Sequence, residues 1–263
     1  MHKILIEQSP YNTRAMPSSL VVVLALVQLL ACKEVLSMDA LDSRKYFSDA
    51  AAATLVDQVQ AGDLSRVKQS LAAGVSVNAL GSNGFRPIHF VFVAPTSDVL
   101  RALIAAGADP NARLSNGNTP LHFAVRMPNP DFTSVLLAAK ADPNARGEND
   151  KPVVHVATAF PGNRALEQLA KAGADLNVVW AGKSPLLFAV ASMTWKSAAT
   201  LLSLGADPTL RDRRGESAAD WWCGQLKEQP VVEKYRPDVL ALADAFAARG
   251  VTLACAGEVA RFR

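Results

Sequence analysis

The 263-residue chain is half hydrophobic but only 6% aromatic, so its interior must be assembled from many small contacts of Ala, Leu and Val. The formal charge of +3 comes without a run of Lys or Arg, which excludes the clustered cation stripe that holds nucleic-acid phosphates. The length suits one large domain, two small ones or a repeat array.

In chain order, the first feature is Leu20–Leu30, LVVVLALVQLL, interrupted only by Gln28. A bilayer span needs about 20 apolar residues, so this run is too short to cross one. With Lys3 and Arg14 upstream it fits the apolar core of a secretory signal peptide. The run ends Leu29-Leu30-Ala31-Cys32, which resembles the bacterial lipobox, where a cysteine behind a small residue is lipidated before cleavage. The resemblance implies that residues 1–31 are a lipoprotein signal peptide. The Cys32 thiolate then takes a diacylglyceryl group and the new amino terminus an acyl chain, and two or more chains anchor stably where one does not. Lys33, in place of an aspartate, favours the outer membrane by the same resemblance. The expected location is therefore the periplasm, with the membrane touched only through the N-terminal lipid. Residues 32–47 have weak periodicity and read as a tether, reaching at most about 50 Å when extended.

Ser48 to Gln60 reads as a helix, Gly62-Asp63 as a turn and Leu64 to Ala73 as a second helix. These form a capping unit over residues 48–84 that lacks the motif repeated further on. That motif recurs with His89, His122 and His155, which stand 33 residues apart in RPIHFV, TPLHFA and PVVHVA. The same frame continues with SPLLFA, where Leu187 takes the histidine slot, and SAADWW, where Asp220 does. A second marker keeps step: Gly74, Gly107, Lys140, Gly173 and Gly205 precede VSVN, ADPN, ADPN, ADLN and ADPT. Two markers in fixed phase define four repeats over residues 85–215.

One unit shows why it folds. Thr119-Pro120 opens a helix, because proline suits the first turn, where no amide partner is needed. Pro128 and Pro130 end it. Asp131 offers an N-cap for a second helix, Phe132 to Ala139, whose Val135, Leu136 and Leu137 need apolar partners. Asn116-Gly117 is a tight-turn pair at the preceding tip. Neither helix buries its apolar face alone, so neighbouring units must stack. Where other units carry glycine after the second helix, this one carries Lys140.

The TPLH and GADPN motifs resemble those of ankyrin repeats over about residues 48–222. The resemblance implies an all-α solenoid of stacked helix-turn-helix units with projecting β-hairpin loops, capped at both ends. It also implies that the motif histidine hydrogen-bonds near the hairpin base and ties adjacent repeats together. A shared metal needs ligand atoms near 2 Å, so histidines one repeat apart read as structural.

Residues 216–263 form an atypical C-terminal cap: Gly205 to Gly250 is 45 residues, about 12 more than one repeat, with a helix from about Pro237 to Ala248. Cys223 and Cys255 are either a disulfide pair, as an oxidising periplasm would allow, or two buried thiols.

No nucleophile elbow, phosphate loop or Cys-rich metal spacing is present in the sequence. The repeating histidines and aspartates are claimed by the fold, which leaves no catalytic residue, metal ligand or cofactor motif. Function must lie where the repeats differ. The ankyrin resemblance places the hairpin tips and first-helix face on a concave partner-binding surface. Ser82, Asn83, Phe85, Ser115, Asn116, Asn118, Arg126 and Met127 fall on it. Glu148, Asn149, Lys151, Phe160, Trp180, Lys183, Met193, Arg213 and Arg214 follow. Phe85, Phe160 and Trp180 either anchor a partner or fold back to cover the thin core. Lys151, Lys183, Arg213 and Arg214 either meet an acidic partner surface or are ordinary solvated charges.

Periplasmic and lipid-anchored ankyrin proteins are of two known sorts, and the chain is similar to both. One neutralises a secreted toxin, such as a type VI secretion lipase, by occluding it. The other supports a periplasmic stress enzyme such as catalase; an envelope scaffold with no single tight partner is a separate, purely structural class. The expectation is a monomeric immunity protein that binds a toxin.

Overall fold

The computed structural model describes residues 42–93, 96–162, 164–228 and 235–263. The apolar run Leu20–Leu30, Cys32 and the signal and lipidation expectations lie outside the described residues. No described helix is long and apolar enough to cross a membrane.

The described chain is a succession of helix pairs. α1 (Ala50–Gln60) and α2 (Leu64–Ala72) form the first pair. Asp49 accepts from the Ala51 N–H at the start of α1, and Asp63 from the Arg66 N–H at the start of α2. Leu55, Val56 and Val59 give α1 its buried face. The next pair joins a 3-10 helix, Pro87–Phe92, to α3 (Ser97–Ala105). Then come α4 (Pro120–Ala124) with α5 (Asp131–Ala138), and α6 (Val153–Ala157) with α7 (Ala165–Lys171). α8 (Pro185–Ala191) with α9 (Trp195–Ser203) completes the regular units. Each short first helix starts at or beside a proline, whose fixed φ suits the first turn. Short helices of this kind are unstable alone. Here Leu121, Val153, Leu187 and Leu201 are fully buried between pairs, so stacking supplies what propensity does not.

Two local expectations are corrected. Asp131 is the first residue of α5 and not its N-cap: Pro130 already has helical dihedrals (φ −68°, ψ −13°). Asn129 provides the capping oxygen, accepting from the Asp131 N–H at 2.9 Å. The projecting loops are turns and not β-hairpins. Among the described residues they carry only isolated antiparallel bridges, Arg146 to Pro152, Trp180 to Lys183 and Arg211 to Ser217. The second partner stands one or two residues before the next helix, at Val153, Pro185 or Ala218, so no ladder extends away from the turn.

The packed region begins before the capping helices, at residues assigned above to the tether. Asp42 caps a 3-10 turn, Ser43–Lys45, and Phe47 is 3% exposed. The Tyr46 ring meets Phe85 at 4.9 Å and its carbonyl accepts from the Ser82 N–H at 2.8 Å. Adjacent aromatics bring enough apolar area to fix a short segment that has no periodicity of its own.

The backbone after each second helix is left-handed. Gly107, Gly173 and Gly205 have φ of 87°, 88° and 103°, and Lys140 adopts 68° in the same slot. A side chain there costs about 1 kcal/mol relative to glycine. Lys140→Gly is therefore expected to stabilise the chain by about 1 kcal/mol, which thermal denaturation reads as a raised Tm. An unchanged or lower Tm would refute it.

The C-terminal cap is built from α10 (Ala218–Glu228), α11 (Arg236–Ala248) and α12 (Ala256–Ala260). The fully buried Trp222 packs on Phe246 at 5.7 Å. Arg249 reaches back to donate to the Leu202 carbonyl at the end of α9. Cys223 on α10 and Cys255 before α12 are disulfide-bonded with Cα atoms 5.2 Å apart.

Candidate functional site

Two rows of polar bonds set the geometry of the face that varies between repeats. In the first, each motif histidine spans to the following repeat. His89 Nε2 lies 3.1 Å from the Ala112 carbonyl, His122 Nε2 3.4 Å from that of Lys151, and His155 Nε2 3.1 Å from that of Lys183. The other ring nitrogen accepts a backbone N–H, from Arg86 to His89 and from Thr119 to His122. That acceptor role leaves the proton on Nε2, where it donates to the carbonyl. All three histidines have pKa values lowered to about 4, chiefly because burial disfavours the charged ring. They are neutral struts.

The third repeat departs from this pattern. Pro152 stands three residues before His155, and proline has no N–H, so His155 Nδ1 is buried without a partner. In the later slots, Leu187 is fully buried, and Asp220 forms a reciprocal cap with Ser217 and approaches Arg211 at 3.3 Å. The Asp220 carboxyl is held below its ordinary range first by the Ser217 N–H.

The second row comes from the asparagine of the ADPN turn. Asn78 Nδ2 donates to the Gly107 carbonyl at 2.7 Å while its Oδ1 accepts from the Asp109 N–H at 2.9 Å. Asn111 repeats both bonds to Lys140 and Asp142, and Asn144 to Gly173 and Asp175. Asn177 accepts from the Asp207 N–H at 2.8 Å. Within each turn the aspartate accepts the N–H two residues on, which aims the asparagine forward.

On this frame a cleft of about 390 Å³ opens across the third to fifth pairs. Seven residues expected on the partner-binding surface line it: Asn118, Arg126, Glu148, Asn149, Lys151, Phe160 and Trp180. Glu148 and Asn149 are exposed and the other five are half-buried. Asn118 is fixed by accepting from the Glu148 N–H at 3.0 Å, which ties neighbouring tips. Gly147 allows this approach, since a Cβ there would collide with Asn118 Oδ1 and with His122 Nε2 at 2.7 Å. Trp180 donates from Nε1 to the Asn149 carbonyl at 2.9 Å, and its ring meets His155 and Phe188 at 5.8 and 5.7 Å. It therefore both braces the array and forms a wall of the cleft. Lys151 Nζ lies 4.9 Å from the Trp180 ring centre and 4.8 Å from that of Phe188. Burial first, and repulsion from Arg126 second, push the Lys151 ammonium pKa down. The Arg126 guanidinium sits 5.7 Å from the Phe160 ring centre.

The other expected residues lie elsewhere. Phe85 folds back into the N-terminal aromatic cluster with Tyr46 and Phe90. Met127 is half-buried outside the cleft lining. Lys183 and Arg214 flank Trp221, at 5.6 and 4.6 Å from its ring centre, and Arg214 pairs with Glu216 at 2.8 Å. Arg213 is exposed and lies against Gly182. Phe123, Val156 and Ala159 line the cleft but were not expected. The first two sit one residue after the motif histidine, so the repeat frame already marked their slot.

Residues 55–147 match the family model of ankyrin repeats in three copies. In shape the chain is similar to the crystal structure of the ankyrin repeat domain of Bcl-3, described as a unique member of the IkappaB protein family. The TM-score is 0.62 at 25% identity, over 73% of this chain and 85% of that one. No curated protein matches the chain. The fold is thus an ankyrin-repeat solenoid. Ankyrin repeats imply a protein-interaction scaffold.

Proposed function

We propose that this chain is a non-catalytic periplasmic lipoprotein, anchored through Cys32, that occludes a secreted toxin of the type VI lipase kind with its concave face. The observation that carries the binding part is the cleft, which gathers Arg126, Lys151, Phe160 and Trp180 from successive repeats into one continuous surface. Large aromatics and Arg dominate interface energies, and here both line one concave wall. The lipid anchor rests on the Leu20–Cys32 sequence, and the toxin on resemblance to lipid-anchored ankyrin proteins. A membrane-held blocker acts at the surface where a lipase works.

The test is affinity purification of the full chain from cells exposed to a toxin-delivering sibling. One tightly held hydrolase supports the immunity reading, and several weak partners favour the envelope scaffold. In the first case Trp180→Ala is expected to weaken binding roughly tenfold or more, as loss of an anchor does. The same substitution is expected to lower stability by roughly 1–2 kcal/mol, because it deletes the bond to Asn149 and two ring contacts. Lowered stability with unchanged affinity would assign Trp180 to the core alone.

A further inference from the structure

Three cations near the repeat tips are paired with carboxylates. Arg146 pairs with Asp150 at 2.7 Å, Arg211 with Asp220 at 3.3 Å, and Arg214 with Glu216 at 2.8 Å. Lys151 has no carboxylate within ion-pair distance among the described residues. Its ammonium is held over two rings inside the cleft. Arg126 stands close enough to repel it, and burial already disfavours its charge. A half-buried ammonium with a like charge nearby is unfavourable until an anion arrives against it.

The size of that anion follows from the charges lining the cleft. Arg126 and Lys151 are cationic, Glu148 is anionic, and His122 is neutral at physiological pH. One net positive charge matches a monoanion. A phosphate would bring about two negative charges and leave an excess. The walls are apolar and aromatic, from Phe123, Val156, Phe160 and Trp180, which suits the stem of a side chain and its apolar neighbours.

We propose that the cleft takes one carboxylate side chain from an extended acidic segment of the protein partner, held between Lys151 and Arg126 with its stem against Phe160 and Trp180. This rests on the interaction-scaffold reading and specifies what that scaffold recognises. An ammonium pre-set over aromatic rings selects for charge, and the rings exclude water around the pair.

The probes are a blocked pentapeptide with a central glutamate flanked by leucines, its glutamine counterpart, its phosphoserine counterpart, and dodecanoate. Each is titrated into the full chain while the indole N–H resonance of Trp180 is followed by NMR. The glutamate peptide is expected to shift it saturably, and the glutamine peptide to bind roughly fivefold or more weakly, as loss of one charge-assisted bond implies. Lys151→Gln is expected to erase that preference, with the indole resonances of Trp195, Trp221 and Trp222 unmoved as a check on folding. Lys171→Gln, at the exposed end of α7 and outside the cleft lining, is expected to keep it. Equal affinity for the glutamate and glutamine peptides overturns carboxylate recognition and leaves the scaffold reading standing. Tighter binding of the phosphoserine peptide overturns the monoanion match. Tighter, Lys151-dependent binding of dodecanoate moves the site to a lipid carboxylate and overturns the protein segment. Absence of a saturable shift up to about 10 mM of the glutamate peptide also overturns the proposal.

Discussion

Acidification from pH 7 to pH 4 is expected to remove most of the stability of this array, through His89, His122 and His155. Each has a folded-state pKa of about 4 against an ordinary value of 6.5, because burial disfavours the imidazolium. The unfolded chain therefore takes up protons first as pH falls. The stability linked to each neutral histidine is complete above pH 6.5, declines through the window, and is exhausted near pH 4. At about 1.4 kcal/mol per pH unit this is about 3 kcal/mol for each histidine. Three such terms rival the 5–15 kcal/mol that typically holds a domain together. The carboxyls of Asp207 and Asp220 are held below 3.8, by the Thr209 hydroxyl and the Ser217 N–H respectively, so their contribution is lost only at lower pH. Thermal melts at pH 7, 6 and 5 measure the slope. A triple His→Leu variant, imitating Leu187, should be less stable at pH 7 and flat down to pH 5. An identical wild-type Tm at pH 7 and pH 5 would sink the assignment.

Breaking the Cys223–Cys255 bond is expected to cost roughly 3–4 kcal/mol in the chain-entropy picture, for a loop closed over 32 residues. The Tm should fall by roughly 10 °C for a chain of this size. Both cysteines are buried, and the bond joins α10 to the start of α12, so its loss frees the segment that covers Trp222 and Phe246. Because repeats are stabilised through their neighbours, opening this cap also exposes α9, to which Arg249 is tied. Melting with and without reductant measures the effect. A double Cys→Ala variant should melt with the reduced protein, and coincident oxidised and reduced curves would refute the prediction.

Most of the architecture was legible because it is periodic. The 33-residue spacing of His89, His122 and His155 and the parallel ADPN turns identify the unit, its stacking and the structural duty of the histidines. Lys140 could be singled out because the frame fixed its neighbours as glycines. What period alone does not carry is depth. Phe85, Phe160 and Trp180 occupy tip slots, but one is covered by Tyr46 while two wall a cleft. That difference depends on which aromatic lies on the adjacent element. The asparagines were visible as part of a turn, yet their bonds to the next repeat exist only once repeats are stacked. Asp131 was misplaced by one residue because a proline in helical conformation extended α5 backwards. Of the cleft, the charged and aromatic members stood out by residue type, and Phe123 and Val156 did not, since an apolar residue after the motif histidine looks like ordinary core.

The histidine and asparagine bonds between repeats all reach toward higher residue numbers, from side chain to a later backbone. A chain delivered amino end first, from ribosome or translocon, thus presents every rung before its anchorage exists. Each hairpin locks only after its successor has emerged, so maturation trails delivery by one unit and the carboxyl-terminal lid seals last. Loss of a unit from the tail strands a buried imidazole proton, whereas loss from the head leaves turn carbonyls and aspartate N–H groups that water can satisfy.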